Sequence, residues 1–236
     1  MGDIKSVSRM IKSYLETLNK RAIFIKKQDV STISLEQICR DSLSQNGAKM
    51  FYYEYTLYKM KAAFDPFMSW IREAYYAYYA DKYSVEEFVE NCGVYSLQRG
   101  VFSSYIETGI CERKIEVMLN EYEYEEERIL ESVYSSLKFI SQDKPLVLVI
   151  SKIHLAPLCV LKFLNLILGR TDSIRFIFTY GESFLVKEPC TSQWELLIQK
   201  AEEEKMFLIT EKSDIVYNQD FPDKFSYDEN EIEEYI

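Results

Sequence analysis

The sequence predicts an α/β fold: a parallel five-stranded sheet flanked by helices, with a helical insertion between the second and third strands. Three observations lead there. Leu146 to Ile150 is an unbroken apolar, β-branched-rich run, the pattern of a strand covered by helices on both faces. Pro157 then opens a helical pattern, Leu158, Leu161, Leu164, Ile167 and Leu168, that closes near Gly169 before a second apolar strand at Ile174 to Thr179. Further short apolar strands at Ala22 to Ile25, Lys49 to Thr56 and Met206 to Ile209 are separated by helical patterns, so the alternation spans most of the chain.

Taken in order, residues 4 to 19 carry Ile4, Val7, Ile11, Leu15 and Leu18 at steps of three and four, which predicts a lead-in helix on the sheet's edge. Ser34 to Leu43 reads as a helix with Leu35, Ile38, Cys39 and Leu43 inward, ended by the left-handed cap of Asn46-Gly47. Asp65-Pro66 starts another helix, and FMSWIREAYYAYYADKY then has apolar or aromatic residues at nearly every position. That cluster has two readings. Aromatics dominate binding hot spots, which makes Tyr75, Tyr76, Tyr78 and Tyr79 interaction candidates; amphipathic aromatics also pack as a helical layer. Ser84 to Cys92 is a helix with a capping box, Glu87 lying three residues after Ser84. Gly93 to Gly109 reads as short turns or a brief helix, residues 112 to 141 as a long helix with EYEYEEE on its solvated face, and Ser192 to Glu204 as the last helix. The organisation expected is a lead-in helix over 1–20, an α/β domain over 21–210 with its insertion at 66–141, and an acidic segment over 211–236.

Composition narrows the classes of function. The chain has 236 residues, 47% of them apolar, enough for one packed core with a small satellite. Its 28 basic against 38 acidic residues give a net charge of −10, which repels nucleic acid and anionic lipid. Five scattered cysteines without a CxxC pair, beside a single histidine, predict reduced thiols in a cytoplasmic protein and no metal site. No window approaches the roughly 18 apolar residues of a membrane span.

The stretch from Leu146 to Gly181 resembles the Walker B strand, following helix and sensor-1 strand of the AAA-like signal-transduction (STAND-type) ATPases. Their usual form is an apolar strand ending in two acids, then an aromatic residue or His, and later an apolar strand ending in Thr-Tyr-Arg. Here Ser151 and Lys152 stand at the two acids, His154 follows, Thr179 and Tyr180 match the sensor strand, and Gly181 stands at the Arg. The resemblance implies a P-loop-NTPase-like sheet and places the phosphate-binding Walker A turn in KKQDVSTIS, with Ser31 at the Lys position and Thr32 at the Mg²⁺-ligating hydroxyl. No glycine lies between Arg21 and Asn46, and Asp29 and Val30 resist the positive φ values that a phosphate cradle uses.

Phosphoryl transfer rests on positioning and on charge stabilisation by Mg²⁺, the loop Lys and an acid. Losing the Lys forfeits charge-assisted hydrogen bonds worth about 1.5–3 kcal/mol. A lysine about 4 Å from a metal adds roughly 4 kcal/mol of repulsion per unit charge. The expectation is therefore a domain without ATPase activity or bound cofactor, a regulatory or scaffold module working through protein partners or flanking domains of a longer signalling or transcription-regulatory chain. Weak homo-oligomerisation near Tyr75 to Tyr83 is a further expectation. Two alternatives stand beside it: a nucleotide-binding switch in which Lys26, Lys27 and Lys152 rebuild a metal-independent phosphate pocket, and an unrelated small-molecule enzyme at the same strand ends. His154 reads as a strand-end polar or packing residue, and Cys159 lies on an apolar helix face, poorly placed for a Cys-His pair.

Overall fold

The computed structural model describes residues 11–16, 21–26, 35–43, 47–56, 64–110, 122–170, 173–181, 190–203 and 206–210. Strands β1 (Ala22–Lys26), β2 (Lys49–Glu54), β3 (Leu146–Ser151), β4 (Ile174–Tyr180) and β5 (Phe207–Thr210) lie in the order β2-β3-β4-β1-β5, and every pairing is parallel. The protein is thus α/β, a parallel sheet flanked by helices. Every residue of β3 is buried, as its apolar run requires.

Side chains alternate between the faces with the period of two that a strand imposes. Val147, Val149, Ile23, Ile25 and Ile177 face helix α1 (residues 11–16) and α2 (Leu35–Leu43), meeting Ile11, Leu15, Leu35, Cys39 and Leu43. Leu146, Leu148, Ile150, Phe24, Phe176 and Phe178 face the larger layer. That layer comprises α3 (Phe67–Ala74), a π-helical turn (Tyr75–Tyr79), α4 (Val85–Asn91), α5 (Arg99–Thr108), α6 (Tyr122–Ile140), α7 (Leu158–Ile167) and α8 (Cys190–Glu203). The unequal division follows from chain direction. Passing from β1 to β2 crosses the sheet one way, while β2 to β3, β3 to β4 and β4 to β5 all step the other way, so right-handed connections send their helices to opposite faces.

Gly93 to Gly109 holds both a short turn and a brief helix: a 3₁₀ turn at Ser96–Gln98 leads into α5, which buries Phe102, Tyr105 and Ile106. Gly109 closes it in the left-handed conformation, φ 74°, donating its N–H to the Tyr105 carbonyl. Ser103 and Ser104, inside α5, dilute the apolar pattern that would have announced it. The tyrosine cluster divides between its two readings. Tyr75 and Tyr79 are core residues, 6% and 7% exposed, with ring centroids 5.2 Å from that of Phe88 in both cases. Tyr76 and Tyr78, 51% and 43% exposed, are the two that face outward. The long helix is described from Tyr122; residues 111–121, most of the lead-in segment and the acidic segment 211–236 lie outside the described residues. Among the described residues no helix is long and apolar enough to cross a membrane.

On β2, the Tyr52 carbonyl accepts from the Trp70 indole N–H of α3 at 3.4 Å. At the start of β2, Lys49 is 4% exposed. Its ammonium donates to Asp143 Oδ1 at 2.6 Å, the Ile140 carbonyl at 2.7 Å and the Tyr79 hydroxyl at 3.0 Å, using all three protons. Burial opposes the charge, but the hydrogen bonds to Asp143 and Tyr79 outweigh it and hold the lysine pKa above its ordinary value.

Two outcomes follow. Lys49→Ala strands the Tyr79 hydroxyl and the Ile140 carbonyl and should cost about 2–3 kcal/mol in urea unfolding. Asp143→Asn, on a carboxylate 62% exposed, should cost under about 1 kcal/mol. Burial also pushes the Cys39 and Cys92 thiols and the Tyr52 phenol up to about 12, and raises Tyr14 and Tyr55. The unfolded chain releases those protons near 8.5 for thiols and near 10 for phenols. The contribution of these thiols and phenols to native stability should therefore be constant below about pH 8 and fall between about pH 9 and 12, because only the unfolded state loses protons there. Unfolding midpoints measured across that range check the sign.

Candidate functional site

The connections leaving β1 and β4 run in opposite directions across the sheet, although the two strands are neighbours. In open α/β sheets the crevice at such a point, off the carboxyl ends of the strands, is where ligands sit. Lys26 ends β1 opposite Tyr180 of β4, and Ser151 ends β3 on the other side of β4.

Between β3 and β4 this edge is closed by hydroxyl chemistry. Ser151 Oγ and Thr179 Oγ1 are 3.0 Å apart, with the residues 8% and 1% exposed. The Lys152 N–H donates to the same Thr179 oxygen at 3.1 Å. Two strand ends are thereby tied by groups that carry no charge. Lys152 itself takes the left-handed conformation, φ 57°, which a β-carbon disfavours by roughly 1–2 kcal/mol. It turns the chain out of β3 into a 3₁₀ turn, Ile153–Leu155.

The Lys152 side chain reaches toward the β2 side, where its ammonium lies 2.9 Å from Glu54 Oε1. Glu54 Oε2 accepts from the Tyr52 hydroxyl at 3.3 Å, and burial, with Glu54 adding to it, pushes that phenol up to about 12. Both members of the Lys152–Glu54 pair are close to half exposed, so the pair is worth at most about 1 kcal/mol. Its effect is directional. Glu54 and Lys26 sit on strands separated by β3 and β4, a span of about 14 Å at ordinary strand spacing. Lys152 is thus drawn away from Lys26, contrary to a pocket in which the two converge on one phosphate. Lys27, Ser31 and Thr32 lie outside the described residues.

His154 Nδ1 accepts a hydrogen bond from the Gly181 N–H at 3.0 Å. A β-carbon at position 181 would stand 3.3 Å from the imidazole Cε1 and 3.4 Å from Nε2, so the ring occupies the space a larger residue would need. The Tyr180 ring packs on Trp194 at 5.2 Å; burial raises its phenol pKa and Lys26 opposes that rise.

A second polar cluster was not legible as more than a helix start. Asp65, 4% exposed, accepts from Ser69 Oγ at 2.6 Å and from the Tyr105 hydroxyl at 3.3 Å, while the Tyr55 hydroxyl donates to its backbone carbonyl at 2.9 Å. Glu54 was missed too, its only signal being an acid at the end of an aromatic strand. Burial pushes the Cys159 thiol up to about 11, which leaves little thiolate at neutral pH for a nucleophile. Among the described residues no group of three or more His, Cys, Asp or Glu is arranged to hold a metal ion.

Thr179→Val keeps the volume and removes both hydrogen bonds, leaving the Lys152 N–H without its acceptor at this end of the sheet. The expected cost is about 1–3 kcal/mol by chemical denaturation, against about 0.5–1.5 kcal/mol for Ser151→Ala, which leaves the bond to the Lys152 N–H in place. Equal costs for the two variants would contradict the shared role given to Thr179.

No protein-family model matches the chain, and no curated protein matches its sequence.

Proposed function

We propose that this chain is a non-catalytic ATPase-like regulatory or scaffold domain that works through protein contacts, as part of a larger signalling or transcription-regulatory protein. The observation that carries the reading is the fate of the β3 end. Where the resemblance calls for a metal-binding acid, Ser151 is buried and tied to Thr179, and the next residue is a lysine held by Glu54. Charge stabilisation of a transferring phosphoryl group needs an anion at that position to hold Mg²⁺. A hydroxyl pair sealed between strands supplies none. Protein contact is supported by the inserted layer, where Tyr76, Tyr78, Tyr95, Leu97, Ile110 and Tyr124 are large apolar residues left on the surface.

Isothermal calorimetry tests the reading. ATP with Mg²⁺ should bind no tighter than about millimolar, with no detectable turnover. The triple change Ser31→Lys, Ser151→Asp, Lys152→Glu should also fail to give tight binding, because the sequence from Lys26 to Val30 lacks the glycines that let N–H groups converge on phosphate. Micromolar affinity of the unmodified chain for any nucleoside triphosphate would reject the scaffold reading in favour of a switch. Loss of that affinity in Lys152→Ala, together with its survival on removing Mg²⁺, would identify a cationic pocket.

A further inference from the structure

We propose that His154 and Gly181 form a proton-controlled catch at the carboxyl edge of the sheet, closed while the imidazole is neutral and released when it is protonated. Nδ1 can accept the Gly181 N–H at 3.0 Å only while it carries a lone pair, which fixes the ring as the neutral tautomer with its proton on Nε2. Taking up a proton from solvent puts a hydrogen on Nδ1, so two donors face each other and the Gly181 N–H loses its acceptor in a partly buried place. The ring lies against position 181, where a β-carbon would stand 3.3 Å from its Cε1.

The neighbouring strand ends carry charges of both signs. Lys152, in the same turn as His154, is paired with Glu54 of β2, and Tyr180 of β4 has Lys26 of β1 and Glu202 of α8 as its charged neighbours. At Nδ1 the two protonation states differ by the bond to Gly181, which needs the lone pair of the neutral ring. The neighbouring ties do not titrate. Ser151 and Thr179 stay bonded as hydroxyls, so release is confined to the end of β4 and the turn after β3. Histidine is the side chain whose ordinary range puts such a change between pH 5 and 8, and this is the one histidine of the chain.

The experiment uses the full ¹⁵N-labelled chain, following the His154 imidazole shifts and the Gly181 amide exchange from pH 8 to pH 5. The ring should titrate as a single proton, and Gly181 protection, corrected for intrinsic exchange, should fall about tenfold with the same midpoint while Thr179 keeps its protection. In His154→Gln, where an amide oxygen can accept without titrating, Gly181 protection should be flat across the range. Gly181 protection that stays constant while the ring titrates overturns the proposal, as does a ring that takes up no proton above pH 5. Because the unmodified chain alone gives both of those results, the test stands even if the variant does not fold.

Discussion

A strand buried on both faces sets the terms for everything around it. β3 can present neither face to water, so each face needs its own helical layer, and each layer must be apolar where it touches the sheet. The two core clusters are the two halves of that requirement. The smaller, under α1 and α2, meets Val147 and Val149; the larger meets Leu146, Leu148 and Ile150. The inserted helices between β2 and β3 are thus part of the core's cover. Phe67 illustrates this, packing edge-on against Phe163 of α7 at 4.5 Å and joining the insertion to the β-α-β unit.

The same burial governs the strand ends. A polar residue closing a buried strand must find a partner, and the neighbour across the β3–β4 boundary supplies one for Ser151. A carboxylate there would have required a cation or several donors, whereas a serine needs only the threonine already present. Ending β3 in a serine and closing this edge are therefore one chemical arrangement. Gly181 and His154 show the same economy: a β-carbon at position 181 would stand 3.3 Å from the imidazole, so a larger residue there would require the ring to give way.

Much of the fold was legible because periodicity and burial agree. The run at β3, the Pro157 start of α7 and the Ser84–Glu87 capping box all use local rules, and each occurs where those rules place it. Fates decided by distant partners were not legible. Tyr75 and Tyr76 are chemically identical neighbours, yet one meets Phe88 and the other lies over the Arg72 guanidinium on the surface. The π-helical turn decides between them, and no sequence signal announced it. At the candidate site, the residues at the strand ends could be named from the sequence. The direction of the Lys152 side chain could not, because it depends on a carboxylate nearly a hundred positions earlier that strand order alone brings close.

The bond at the outer side of β2 bears on how copies of this chain could pair. An exposed strand edge is a template on which a foreign strand can polymerise, and at β2 the Trp70 indole already occupies the Tyr52 carbonyl. The opposite border of the sheet belongs to β5, only four residues long. A strand approaching the β2 side would have to displace that indole from the carbonyl it already holds.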